Sequence, residues 1–155
     1  MREPVIAYLG LGANLGDAHA TLDTAIQQLS SAGGIEITAQ SSRYRTAPLE
    51  SSGSDYINAV VELRTVLSAP ALLASLHGIE AAAGRERPYR NAPRTLDLDV
   101  LLFGEGRIAS AFLTVPHPRM ASRAFVLVPL HEIAPHLVGA GLLLGVREQA
   151  IKRIP

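Results

Sequence analysis

Apolar positions along the chain recur with two periods, one of two residues and one of three to four, and the switches between them outline the elements. Val5 to Leu11 is a short apolar run, which predicts a buried strand. Gly12-Ala13-Asn14-Leu15-Gly16-Asp17 then turns into a helix, with Leu22, Ala25, Ile26 and Leu29 on its buried face. Gly33-Gly34 is a typical helix stop. Ile35 to Arg45 predicts the next strand, Ile35 and Ile37 alternating with polar neighbours. Thr46 to Asp55 is rich in Ser, Pro and Gly and predicts a loop. Tyr56 to Val66 predicts a third strand, with Ile57, Ala59, Val61 and Leu63 on one face. A second helix opens at Ala69-Pro70, where proline is tolerated, carries the stripe Leu72, Leu73, Leu76 and Ile79, and ends at Gly84. After a loop from Arg85 to Thr95 comes a strand headed by Asp97.

The order β-α-β-β-α-β is that of a ferredoxin-like sandwich, an α+β fold with an antiparallel sheet and both helices on one face. The remainder predicts a C-terminal extension of short helices, one around Arg123 to Ile133 and a weaker one from Val146 to Arg153. No internal repeat interrupts the 155 residues, so a single domain over 1–155 is expected.

Composition narrows the function classes. Apolar residues make up 48% of the chain, enough for a core, but aromatics only 5%, so Leu, Val, Ile and Ala must fill it. The net charge of zero argues against bulk binding to nucleic acid or anionic membranes. There is no cysteine, hence no disulfide framework. Met1 to Gly10 lacks the basic and long apolar regions of a signal peptide, and no apolar run approaches the roughly 20 residues of a bilayer span. A cytoplasmic protein is the expectation. Lys152 is the only lysine; arginine supplies the other cations, and Arg85, Arg87, Arg90 and Arg94 cluster within ten positions.

The chemistry concentrates beside that cluster. In a strand, residues i and i+2 share a face, so Asp97 and Asp99 project side by side, with Leu98, Val100 and Leu102 opposite. Two adjacent carboxylates repel unless a cation neutralises them. Mg²⁺ is a hard ion that prefers oxygen ligands and usually brings phosphates, which arginines bind in bidentate fashion. The alternatives are a solvated strand end and an internal salt-bridge cluster. His117 lies between two prolines and has a donor to offer a phosphate oxygen. Tyr56 and Asn58 share a strand face after the predicted loop, and Asn suits a flat heterocycle. Phe125 offers a stacking surface, although an aromatic in a short apolar helix is commonly core. Glu80 sits near the C-terminal end of its helix, where the dipole disfavours an acid, and pairing with a loop arginine accounts for it. Gly10-x-Gly12-x-x-x-Gly16 between strand and helix looks like a dinucleotide-binding turn. Its spacing is one residue too long, and no further βαβ units follow. A tight turn with Asp17 capping the helix is the simpler reading.

Five segments then resemble a known family: Tyr8 to Asp17, Tyr44 to Leu49, Asp55 to Ala59, Pro93-Arg94-Thr95-Leu96-Asp97-Leu98-Asp99, and Val115-Pro116-His117-Pro118-Arg119-Met120. The chain resembles the 6-hydroxymethyl-7,8-dihydropterin pyrophosphokinases of folate biosynthesis along nearly its whole length. The resemblance implies transfer of pyrophosphate from ATP to the pterin's hydroxymethyl oxygen, releasing AMP. It implies two Mg²⁺ ions held by Asp97 and Asp99, with Arg85 and Arg94 as catalytic cations. Thr46, Ala47, Leu49, Tyr56, Asn58 and Phe125 then fall on the pterin. Leu73, Glu80, Arg87, Arg94, Val100, Thr114, His117 and Arg123 fall along ATP. A monomer acting on small molecules, ATP and hydroxymethyldihydropterin, without nucleic-acid or membrane partners, is the expectation. The chain departs from the family's pattern in lacking a loop tryptophan, in Pro118 after the histidine, and in Glu50, none of which is a metal ligand. The competing readings are a non-catalytic ferredoxin-like module that binds a small molecule and an ordinary kinase releasing ADP.

Overall fold

The structure, a computed structural model, describes residues 3–14, 17–47, 55–83 and 96–155. In chain order the elements are β1 (Val5–Ala13), α1 (Ala18–Ser31), β2 (Ile35–Gln40), β3 (Arg43–Thr46), β4 (Tyr56–Thr65) and α2 (Ala69–Ala83). Then follow β5 (Asp97–Phe103), β6 (Ile108–Ala109), β7 (Thr114–Val115), α3 (Ala124–Ile133), α4 (Ala140–Gly145) and β8 (Ile151–Ile154). The main sheet runs β5-β1-β4-β3-β8, with β2 also paired to β4, and every pairing is antiparallel. The chain is thus α+β with an antiparallel sheet, as the periodicity predicts.

Strand alternation divides the core into two layers. On one face Leu9, Leu11, Leu63, Leu98 and Val100 pack with Leu22, Ala25 and Leu29 of α1 and Leu72, Leu76 and Ile79 of α2. On the other, Tyr8, Val60 and Leu101 meet Val126, Leu127 and Leu130 of α3. Asp17 caps α1 as expected, its side chain accepting the Ala20 amide at 3.0 Å.

Several expectations are corrected. Gly10 and Gly12 belong to no tight turn: β1 runs on through Ala13 because β4 and β5 pair with it from both sides. The strand expected over 35–45 is two strands broken at Ser41-Ser42. There Ser41 exchanges bonds with Val60, its amide donating to the Val60 carbonyl and its hydroxyl accepting the Val60 amide. Leu102 does not share the face of Leu98 and Val100. A register shift lets Tyr8 pair with Leu102 while Leu9 pairs with Val100, so Leu101 is an extra residue and parity flips after it. Both Leu101 and Leu102 therefore pack on the α3 side. The helix expected over Val146 to Arg153 is absent; α4 ends at Gly145, and Ile151–Ile154 is a strand that closes the free edge of β3. Among the described residues no helix is long and apolar enough to cross a membrane.

Candidate active site

The sheet face turned away from α1 and α2 carries the polar residues. Register sets Asp97 beside Gly12 and Asp99 beside Gly10, Gly12 beside Asn58, and Asn58 beside Tyr44. One row thus crosses four strands, from Asp97 on β5 through Gly12 and Asn58 to Tyr44. Asp97 and Asn58 lie two strand spacings apart, about 10 Å.

Glycine makes the middle of this row bare. A Cβ on Gly12 would lie 2.9 Å from Asn58 Oδ1, closer than real contacts allow. Asn58 is buried, and its Nδ2 donates to Thr46 Oγ1 at 2.7 Å. Thr46, on β3, is itself buried, while Ala47 beyond it is exposed and Tyr56 is half-buried. The heterocycle side predicted from sequence therefore contains a coupled Asn58–Thr46 pair.

The opposite end is electrostatic. Asp97 and Asp99 are partly buried and alternate with Leu96, Leu98 and Val100, which sit in the core. Glu80, in the last turn of α2, accepts the Leu98 amide on Oε2 at 2.8 Å, which fixes the backbone between the two aspartates. The hydrogen bond offsets the unfavourable place of an acid at a helix C-terminus. The arginine-loop pairing expected of Glu80 involves residues outside those described. His117 donates its backbone amide to the Leu101 carbonyl at 3.0 Å. Its Nδ1 accepts the Arg119 amide at 3.2 Å, which leaves the proton of the neutral ring on Nε2. Burial pushes the His117 pKa below its ordinary value; Asp99 pulls it up, while Arg123 and Arg119 press it down. Asp99, His117 and Arg123 thus share one electrostatic neighbourhood. The Arg123 guanidinium also stands 5.2 Å from the centre of the Phe125 ring.

Other expected residues lie as follows. Leu73 is half-buried on α2, which packs on β5. Thr114 is exposed on β7, also against β5. The Val100 side chain is sealed in the α1/α2 core, so the residue offers a nucleotide only its backbone. Leu49, Arg85, Arg87, Arg90 and Arg94 lie outside the described residues. Sequence reasoning missed that Gly10 and Gly12 both sit inside a strand paired on both sides, although their spacing of two is a strand signal. It also missed Arg119, and the buried amide of Asn14, whose Nδ2 and Oδ1 have no hydrogen-bond partner among the described residues.

No group of three or more His, Cys, Asp or Glu side chains gathers among the described residues. Among the described residues, the candidate donors for a cation are the carboxylates of Asp97 and Asp99. Two carboxylates on one strand face are hard oxygen ligands, and they fit Mg²⁺ that keeps waters and binds phosphate oxygens as well.

Paired carboxylates, with a histidine and an arginine in the electrostatic neighbourhood of Asp99, suit the class of phosphoryl-transfer proteins. Comparison with known proteins narrows the class: the family model for 7,8-dihydro-6-hydroxymethylpterin-pyrophosphokinase (HPPK) matches residues 8–135. The chain belongs to that family. A 2-amino-4-hydroxy-6-hydroxymethyldihydropteridine pyrophosphokinase of Methylorubrum extorquens is 44% identical over 96% of this chain and 94% of its own length. One of the same description from Synechocystis is 47% identical, over 85% of this chain and 68% of the relative. In fold, a solved Plasmodium falciparum HPPK-DHPS triple mutant aligns with a TM-score of 0.70 at 16% identity, covering 92% of this chain and 42% of that one.

Proposed function

We propose that the chain is a pyrophosphokinase of folate biosynthesis. It transfers the β,γ-pyrophosphoryl group of ATP to the hydroxymethyl oxygen of 6-hydroxymethyl-7,8-dihydropterin and releases AMP. The observation that carries this reading is the family match over residues 8–135. The site is in keeping with it. Asn58, positioned by Thr46, presents an amide to the edge of the pterin, with Ala47, Leu49, Tyr56 and Phe125 around the ring. Gly12 lets the flat ring approach the backbone. Asp97 and Asp99 would hold Mg²⁺, two ions in this reading, which would supply charge neutralisation for the phosphates and lower the pKa of the attacking hydroxyl.

The chain's own residues orient the phosphates, and positioning plus charge neutralisation account for most of the catalysis in such transfers. His117 donates from Nε2, and Arg123 supplies a fixed cation held over Phe125. Arg85, Arg87 and Arg94 complete the phosphate side. Leu73, Glu80, Val100 and Thr114, grouped about β5, border the nucleotide. The ferredoxin-like arrangement is supported by the strand order β5-β1-β4 with β2 and β3 on the far side of β4. The chain in this reading is one domain over 1–155 and a cytoplasmic monomer; the lack of nucleic-acid and membrane partners accords with the zero net charge.

The test is a product assay. The protein is mixed with Mg²⁺, ATP and 6-hydroxymethyl-7,8-dihydropterin, and the nucleotides are separated by chromatography. Pterin-dependent AMP is expected. ADP would point to an ordinary kinase, and intact ATP to a binding module.

A further inference from the structure

Glu132 stands in the last turn of α3, where the helix dipole disfavours an acid. Donors from β3 and its approach converge on it. The Ser42 amide reaches Oε1 and Oε2 at 3.1 and 3.0 Å, the Ser42 hydroxyl reaches Oε2 at 2.9 Å, and the Tyr44 hydroxyl reaches Oε1 at 2.6 Å. Arg153 of β8 adds a guanidinium at 3.8 Å. The electrostatics agree with a working clamp. Burial alone would raise the Glu132 pKa, yet the Tyr44 and Ser42 bonds and Arg153 together hold it below the usual carboxylate value.

The clamp grips the chain at a consequential place. Ser42 ends the break between β2 and β3, which sets the direction of β3. Tyr44 pairs with Asn58, and Thr46 lies two residues further along the same face and receives the Asn58 amide. β3 is only four residues long, so few bonds fix its height and slide against β4. Its other face is tied to α1, where Arg43 bonds Asp23 at 2.5 Å and the His19 carbonyl at 3.1 Å.

We propose that Glu132 is a positioning residue for the pterin, acting through Ser42 and Tyr44 to hold Thr46 against Asn58. It touches neither substrate. The inference rests on the pterin reading above and gives α3 a task in specificity.

The experiment measures steady-state AMP release by the full chain, with pterin and ATP varied in turn. Glu132→Gln keeps the size of the side chain but not its charge. It is expected to raise the pterin KM roughly tenfold, about 1.4 kcal/mol, with the ATP KM and kcat unchanged. Tyr44→Phe, which leaves both Ser42 bonds in place, should raise the same constant less. The double variant should fall short of the summed effects, because the two residues act as one unit. A carboxylate that served the fold alone would lower the melting temperature and leave both KM values where they are; that result, or an equal rise in both, overturns the proposal. If Glu132→Gln does not fold, Tyr44→Phe decides by the same split. A wild-type protein that releases no pterin-dependent AMP overturns the pterin reading and this inference together. Wild-type activity with an unmoved pterin KM in the variants overturns the inference alone.

Discussion

Replacing Gly12 with alanine tests the site at its narrowest point. The added methyl would begin 2.9 Å from Asn58 Oδ1, so the amide must rotate or shift. Asn58 has little freedom to do so, being buried and bonded to Thr46 at 2.7 Å. Loss of that bond costs about 1 kcal/mol, and an off-rotamer side chain about 0.5–1.5 kcal/mol. Against this, alanine in place of glycine within a strand gains about 0.5–1 kcal/mol. The balance is a net loss of about 1 kcal/mol, which lowers the melting temperature by about 2–4 °C in a protein of this size. The functional effect is larger, because the displaced amide is the proposed pterin contact: the pterin KM rises about tenfold or more, with the ATP KM unchanged. Gly10→Ala is the matched control for stability. Its Cβ would rest 3.5 Å from Leu101 Cδ2, an ordinary contact, so the variant should melt at or above the wild-type temperature. The assay pairs thermal melts with AMP release at varied pterin. A Gly12→Ala protein with wild-type melting temperature and wild-type pterin KM would refute the idea that Asn58 is held over a glycine floor and reads the pterin.

Three further outcomes are expected. Asp99→Asn should lower Mg²⁺-dependent turnover about a thousandfold, roughly 4 kcal/mol, with little change in melting temperature, since the side chain keeps its size and is only partly buried; a turnover within tenfold of wild type would count against the cation site. Asn14→Leu should stabilise the fold or leave it unchanged, because it removes a buried amide whose nitrogen and oxygen meet no partner among the described residues; a clear drop in denaturation midpoint would show that the amide has a partner in solution. Burial and the bond to Glu132 push the Tyr44 pKa up to about 12 from an ordinary 10.0. Its contribution to stability is therefore complete below pH 10 and lost as the pH rises toward 12, whereas that of Glu132 is complete above about 4.5 and lost in acid. Denaturant melts across pH should show both slopes in the wild type; Tyr44→Phe should make the alkaline one shallower, Tyr8, whose pKa burial and Glu62 also push up, keeping the rest.

Much of this was legible in the residue pattern, and the exceptions have physical causes. The alternation of Ile57, Val61 and Leu63, and the stripes Leu22–Leu29 and Leu72–Ile79, found the α1/α2 core because burial imposes the period of the element. The Asp97–Asp99 pair followed from strand parity alone. Parity failed at Leu102 because a register shift is a property of two strands, and no feature of β5 announces it. The C-terminal strand was missed because Ile151–Ile154 has too few residues to show a period, and its conformation is decided by the open edge of β3. Gly12 was read as the start of a turn, since glycine usually marks one, whereas here it lies within a paired strand and leaves room for the Asn58 side chain. Thr46 and Asn58 were linked only through the family resemblance, because their contact depends on the β3–β4 register. The clamp at Glu132 joins residues 88 and 90 positions apart in sequence, a separation that no local pattern spans.

The row Asp97–Gly12–Asn58–Tyr44 also governs how this chain can tolerate insertions and deletions. Gaining or losing one residue within β1 would turn the rest of that strand over, burying what faces the ligand and exposing what faces the helices. The turn at Glu105 to Arg107, exposed and beyond the end of β5, has no place in that row. Length variation among functional versions of this chain should therefore collect in the turns and be purged from the four strands that share the row, so that the spacing of residues, as much as their identity, carries the memory of the site.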